Sequence, residues 1–283
     1  MHLSPETLTQ LTALIRQWTG LALGSDKAYL IRHRLAPVVR SCGFAGFDDL
    51  LLRLQATSAG SSKLQDAVVE AITTKETSFF RDPWLFDALL QNVLPELVRQ
   101  AVSSRRRVRI WSAGTSTGQE AYSLAIIVRE FLYGSTRPNE FRDADISLLA
   151  SDISGEAIDV ARTGLFSQSE VAKGLSEARQ RRFLAHNGDA RLMNESLRKL
   201  VQFRVANLLR PSPEPGPFDL ILCRNVLIYF DEPTRASVCR SLHSALRGGG
   251  WLVIGSAESL YGMSEGWEAV KFGRAFVYRK QVE

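Results

Sequence analysis

The chain has 283 residues, more than the usual single domain of about 100–200, so its length calls for two units or one with an appendage. Hydrophobic residues make up 45 %, and apolar runs such as Leu124–Val128 stop at five. This excludes a mainly disordered chain and any helix with the roughly 18 apolar residues of a membrane span. Lysine and arginine number 35 against 30 acids, a net charge of +5. The basic residues cluster at Arg105, Arg106, Arg107 and Arg109, and again between Arg179 and Arg204. Such patches suit an acidic partner or a solvated face; no nucleic-acid signature accompanies them, so nucleic acid is not expected.

Ser4-Pro5-Glu6 reads as a helix start rather than a targeting segment, with a capping hydroxyl, a first-turn proline and an acid. Leu8, Leu11, Ile15 and Trp18 recur at helical spacing up to Gly20. A second helix starts near Ser25-Asp26 and runs toward Cys42-Gly43, kinked by Pro37. It carries Ile31, Leu35, Val38 and Val39 on one side and Arg32, His33 and Arg40 opposite. A third helix opens at Phe47, and Thr57–Ser62 is a loop before the next. Residues 1–72 are expected to form an all-α domain.

From Arg107 the texture becomes strand–helix alternation. Strands are expected at Val108–Ser112, Ile146–Ala150, from Val201 to Asn207, Phe218–Cys223 and Trp251–Gly255. Helices are expected from about Gln119 to Phe131, through Ile158 and Ala161, and over Asp231–Arg247, the last closed by Gly248-Gly249-Gly250. A terminal hairpin is expected around Gly273-Arg274. The alternation predicts an α/β fold with a mostly parallel, doubly wound sheet over residues 73–283. Residues about 165–200 break the pattern and carry an Asn187-Gly188-Asp189 turn, so an insertion is expected there. Cys42, Cys223 and Cys239 are odd in number and lack CxxC spacing, which suits reduced thiols in a cytoplasm. The four histidines are scattered, so no metal site follows from ligand spacing.

Four stretches carry candidate chemistry. At 110–120 a strand runs through Ala113-Gly114-Thr115-Ser116-Thr117-Gly118 into a helix; it is either a tight turn or a close backbone approach to a ligand. Neither GxGxxG nor a Walker lysine is present. Asp152 ends the next strand, placed to accept both hydroxyls of a ribose or to cap the helix beginning at Ser154. A nucleoside without a phosphate site suggests S-adenosylmethionine. Cys223-Arg224-Asn225-Val226-Leu227-Ile228-Tyr229-Phe230 sets a polar Arg-Asn pair after a buried strand. Asn225 and Tyr229 could face a cationic sulfonium, or the stretch could be a capped loop with Tyr229 in the core. Thr74-Lys75-Glu76-Thr77-Ser78-Phe79-Phe80-Arg81-Asp82 contains an arginine suited to gripping a carboxylate, or is an ordinary connection.

Together these stretches resemble the chemotaxis receptor methyltransferases, the CheR family, in family order and over nearly the whole chain. The resemblance implies a class I S-adenosylmethionine-dependent methyltransferase fold behind an all-α domain, with a small inserted β-subdomain. It implies that Thr77, Arg81 and Glu120 contact the methionine portion of the cofactor and Asp152 its ribose. Asn207 and Leu208 would border the adenine, while Gly114, Asn225 and Val226 line the pocket. Lys75 stands where the family usually has Asn, and its ammonium would pair with the cofactor carboxylate. Arg81 and Tyr229 are the implied catalytic residues, Tyr229 near the transferred methyl.

The implied reaction is methyl-ester formation on glutamates of a methyl-accepting chemoreceptor's cytoplasmic domain, leaving S-adenosylhomocysteine. Arg32, Arg34 and Arg40 are the corresponding docking charges. The implied protein is a cytoplasmic monomer recruited to membrane receptor arrays without inserting into the membrane. The family's pentapeptide-tethering loop is richer in glycine than Asn187-Gly188-Asp189, which speaks against tethering here. The competing readings are a methyltransferase acting on RNA or a small molecule, and a non-catalytic S-adenosylmethionine-binding signalling partner.

Overall fold

Ser4 accepts the Thr7 N–H through its Oγ at 3.1 Å and Pro5 occupies the first turn, so a helix runs from Pro5 to Thr19. Gly20, at φ +77°, ends it in the left-handed conformation that glycine adopts without strain. The computed structural model describes residues 1–56, 63–134, 141–142, 145–260, 262–263 and 265–282, with Ser25 by its backbone alone. The loop expected at Thr57–Ser62 lies outside the described residues. Two compact units emerge: Met1–Thr74 with Tyr229–Thr234, and Lys75–Ile228 with Arg235–Glu283.

In the first unit, helices Ala28–Ser41, Phe47–Ala56 and Lys63–Ile72 join the N-terminal one. They bury Leu11, Ile15, Ile31, Leu35, Val39, Leu50 and Val68, each worth about 1.5–3 kcal/mol of burial. Ile31, Leu35, Val38 and Val39 do face inward, and Arg32, His33 and Arg40 outward. The segment Tyr229–Thr234 completes this unit. Phe230 bridges to Leu21, the Tyr229 carbonyl accepts the Ala22 N–H at 2.9 Å, and Asp231 pairs with Arg16.

The second unit opens with helices Pro83–Ala88 and Leu94–Ser103, to which sequence analysis assigned no element. A π turn, Leu89–Val93, joins them just ahead of Pro95. Proline lacks the N–H of an unbroken α-helix and its ring crowds the preceding turn, so the widened turn falls where continuity would fail.

Among the described residues ten strands follow: β1 (Val108–Ala113), β2 (Ile146–Asp152), β3 (Leu165–Ser167), β4 (Leu184–Asn187), β5 (Ala190–Met193), β6 (Val201–Val205), β7 (Phe218–Cys223), β8 (Leu246–Ile254), β9 (Trp267–Phe272) and β10 (Ala275–Lys280). Seven form one sheet in the order β6-β2-β1-β7-β8-β10-β9. The first five pair in parallel, and the β9–β10 hairpin closes the sheet antiparallel. β1 is the middle one of the five parallel strands, with Ile110 opposite Leu148 of β2 and Leu220 of β7. Helix Gln119–Tyr133, buried along almost its whole length, follows β1. The expected insertion is a separate antiparallel sheet, β3-β5-β4, with Gly188 (φ +58°) and Asp189 turning β4 into β5.

One boundary differs from expectation. The helix begun at Glu232 ends at Ala245, and the glycine run lies inside β8 rather than before it. The register between β7 and β8 shifts after Phe218, and Gly249 takes φ +76°. These glycines therefore form an irregular strand start rather than a helix stop.

Much of the basic charge is engaged inside the fold. Asp219, buried at the start of β7, accepts Arg106 Nη1 at 2.6 Å, Arg247 Nε at 3.0 Å and the Arg109 N–H at 2.8 Å. Arg179 forks onto Glu130 through two bonds of 2.9 Å, and Arg109 and Arg204 both reach Glu214. Asp219→Ala should lower unfolding stability by about 2–3 kcal/mol, because hydrogen bonds to a buried charged acceptor contribute about 1.5–3 kcal/mol. Urea denaturation reads this directly, and an unchanged midpoint would show that water replaces the carboxylate.

Candidate active site

In an open α/β sheet, ligands bind beyond the strand C-termini where the strand order reverses. Here that point lies between β1 and β7, with the ends of β2 and β6 beyond β1. The turn after β1 holds three left-handed residues, Gly114 (φ +77°), Ser116 (φ +53°) and Gly118 (φ +96°). Hydrogen bonds to β2 hold it there: the Ser151 carbonyl accepts from both Gly114 N and Thr115 N, at 2.8 and 2.9 Å. A Cβ on Gly114 would stand 2.5 Å from Val226 Cγ2 on the facing loop. The Val226 side chain packed against the turn, as well as the left-handed backbone, demands glycine at this position.

Asp152 does not cap the following helix directly. Ser154 does that, accepting the Ala157 N–H, while Asp152 Oδ1 accepts from Ser154 N at 3.0 Å. Its Oδ2 accepts the Ser116 N–H at 2.8 Å, tying the glycine turn to the end of β2.

Glu120 is buried on the first turn of its helix. It accepts Ser112 Oγ at 2.8 Å and Arg224 Nη1 at 2.9 Å. Asn225 stands at φ +58° after β7, and its N–H donates to Glu258 Oε2 at 2.9 Å. The other Glu258 bonds come from the N–H groups of Gly255 (2.6 Å) and Ile228 (3.1 Å). After β6, Asn207 accepts the Leu209 N–H at 2.9 Å through Oδ1, beside a half-buried Leu208. The Lys75 carbonyl accepts Ser116 Oγ at 2.9 Å, while its ammonium pairs with Glu156 at 2.8 Å. Thr77 is half-buried and Arg81 exposed.

The structure thus gathers Lys75, Thr77, Arg81, Gly114, Glu120, Asp152, Asn207, Leu208, Asn225 and Val226 into one unit, around the ends of its central strands. It sorts Tyr229 with the helical unit, where Arg32, Arg34 and Arg40 also belong. Arg32 and Arg40 are exposed. Arg34 differs: its guanidinium donates to the Ile72 and Thr73 carbonyls, both at 2.7 Å, and to Thr74 Oγ1. Sequence reasoning noticed the Arg224-Asn225 pair but gave Arg224, Asp82 and Glu258 no role. Apart from the Gly255 N–H, their partners lie 30 to 143 residues away, beyond any local pattern.

A five-stranded parallel core closed by an antiparallel hairpin, with a glycine turn and an acid at the ends of its first two strands, defines a class I S-adenosylmethionine-dependent methyltransferase. The chain belongs to the CheR methyltransferase family. The family model for the CheR SAM binding domain matches residues 75–276, and that for the all-alpha domain matches residues 6–73. Chemotaxis protein methyltransferase 1 of Vibrio cholerae is 36 % identical over 261 residues, covering 92 % of this chain and 91 % of that one. Chemotaxis protein methyltransferase 1 of Pseudomonas aeruginosa is 35 % identical over 261 residues and 92 % of each chain. The chemotaxis protein methyltransferase of Vibrio parahaemolyticus is 34 % identical over 278 residues and 98 % of each. S-adenosylmethionine is the cofactor of the family domain, and the Gly114 cradle and the Asp152 carboxylate fit a nucleoside of that kind. Among the described residues no helix is long and apolar enough to cross a membrane.

Two substitutions test the cradle. Gly114→Ala adds a side chain at φ +77°, 2.5 Å from Val226, and should weaken S-adenosylmethionine binding at least tenfold in calorimetry. Adding Val226→Ala relieves the contact but not the left-handed strain, so recovery should be partial. Asp152→Ala should also weaken binding by about tenfold or more, since a charged acceptor contributes about 1.5–3 kcal/mol. Native affinity in either folded variant would place the cofactor elsewhere.

Proposed function

We propose that the protein methylates glutamate carboxylates on the cytoplasmic helices of a methyl-accepting chemoreceptor, forming glutamate methyl esters. One observation carries this reading: the acids around the strand ends are already engaged as hydrogen-bond acceptors. Asp82 and Glu120 take Arg224, Asp152 takes two backbone N–H groups, and Glu258 takes three. No histidine joins them among the described residues; His186 lies in the inserted sheet and His243 packs edge-on against Trp267. An amine or hydroxyl acceptor would need a base to remove its proton. A glutamate, with a pKa of about 4.3, is ionised at neutral pH and needs none.

S-adenosylmethionine, when bound, supplies an electrophilic methyl group on a sulfonium and leaves as S-adenosylhomocysteine. Thr77, Glu120 and Lys75 face its methionine portion in this reading. Asp152 holds the ribose, Asn207 and Leu208 border the adenine, and Gly114, Asn225 and Val226 line the pocket. The chemical work left to the protein is to desolvate the acceptor carboxylate and hold it in line, a task given to Arg81. Arg32 and Arg40, exposed on helix Ala28–Ser41, supply a basic docking face for acidic receptor helices. Arg34, held on its own unit's carbonyls, is a structural residue here. The protein works in the cytoplasm as a monomer, recruited to receptor arrays by its substrate.

Product chemistry tests the assignment. Labelled receptor fragment should release volatile methanol on mild alkaline treatment, because hydroxide cleaves a methyl ester far faster than an N-methyl bond. Replacing the accepting receptor Glu by Gln should abolish labelling while keeping the side chain's shape. Alkali-stable label would sink the carboxylate assignment and favour an RNA or small-molecule acceptor.

A further inference from the structure

Arg224 directly follows β7, and only 2 % of its side chain is exposed. A cation so buried is tolerable only when it is paired and hydrogen-bonded. Its Nη1 donates to Glu120 Oε2 at 2.9 Å. Its Nη2 donates to the Arg81 carbonyl at 2.8 Å and to Asp82 Oδ2 at 2.6 Å. One guanidinium therefore joins the first turn of the helix after β1 to the backbone and side chain of the 79–82 segment.

That segment is under strain. Phe80 and Asp82 adopt φ +47° and +63°, a left-handed backbone that non-glycine residues hold only when their surroundings impose it. The imposing contacts are visible. Phe79 and Phe80 are buried edge-on against Phe166 and Phe86, at 4.8 and 5.0 Å. The Phe80 N–H donates to Ser123 Oγ at 2.9 Å, and Arg179 covers the Phe80 ring at 3.9 Å. Phe80 is anchored on one side of Arg81 and Asp82 gripped on the other. Arg81 projects between them, exposed and without an ion pair among the described residues.

We propose that Arg224 is a positioning residue for methyl transfer. It orients Glu120 toward the cofactor's methionine portion and locks the strained turn that presents Arg81 to the acceptor carboxylate. A single buried side chain thereby sets both halves of the reacting geometry. The proposal rests on the roles given above to Glu120 and Arg81. Lysine cannot substitute: a point charge lacks the planar fork that reaches three acceptors from two elements.

Arg224→Lys keeps the charge and loses the fork. In the cofactor-free protein, hydrogen exchange at Phe80 and Arg81 should speed at least tenfold, while β1 and helix Gln119–Tyr133 keep their protection. S-adenosylmethionine affinity by calorimetry should fall about tenfold, and kcat on receptor fragment at saturating cofactor should fall as well. The decisive comparison is with Arg81→Ala, which should itself lower kcat. On that background, Arg224→Lys should lower kcat by no more than about twofold, because its target in the turn is gone. Unchanged exchange at 80–81, losses in kcat that multiply, or an Arg81→Ala enzyme with native kcat would each overturn the proposal.

Should Arg224→Lys fail to fold, Asp82→Asn weakens only the turn side of the grip. It should speed exchange at 80–81 and lower kcat while leaving cofactor affinity within about twofold. A change in affinity alone, or no change at all, would again overturn the proposal. Alkali-stable label from the wild-type enzyme would instead sink the carboxylate reading, leaving the exchange and affinity results to stand by themselves.

Discussion

The glycine turn after β1 exists only because the end of β2 holds it. Three residues within five adopt left-handed backbone there, two glycines and Ser116, a conformation that costs a non-glycine residue about 1–2 kcal/mol. Backbone hydrogen bonds to Ser151 and the Asp152 carboxylate offset that cost and satisfy N–H groups that would otherwise lack partners. Once the turn is set, helix Gln119–Tyr133 must start at Gly118, and Glu120 must fall on its first, buried turn. Gly118 in turn lets that helix pass close to the next one, since a Cβ there would meet Ala161 Cβ at 2.8 Å. The geometry of the whole strand-end region follows from this one junction between neighbouring parallel strands.

Much of this was legible in the sequence because the signals are local. Helical spacing from Leu8 to Trp18, the apolar runs of β1, β2 and β7, and the Asn187-Gly188 turn each declare their structure within a few residues. The glycine turn and Asp152 were legible for the same reason: each stands where a strand pattern stops. The helices over Pro83–Ser103 were not, since a π turn and Pro95 interrupt their periodicity. The glycine run of β8 looked like a helix stop because the strand that makes it a bulge, β7, lies far away in sequence.

The electrostatic part of the site was the least legible. Asp152 could be placed from its position on a strand. Arg224 could not, because its partners Glu120 and Asp82 lie 104 and 142 residues away. Glu258 is similar: it gathers N–H groups from two loops, and nothing around it in the chain hints that it is an acceptor. The arginine clusters were legible only as charge. Arg106, Arg109, Arg179 and Arg204 suited either an acidic partner or a solvated face, and each is engaged with an acid of its own fold. Spacing reports faces and turns well; it does not report which charges the fold keeps for itself.

The helical unit is discontinuous in the chain, and that has a topological consequence. Tyr229–Thr234 leaves the methyltransferase unit, supplies the partner of Leu21, Ala22 and Arg16, and returns. The covalent connection is therefore made at three places rather than one. A cut between Thr74 and Lys75 would yield a helical fragment missing part of its own structure, and a catalytic fragment carrying six residues that belong elsewhere. The two units cannot be exchanged between relatives as a simple amino-terminal cassette. A workable chimaera must graft the distant hexapeptide together with the helices.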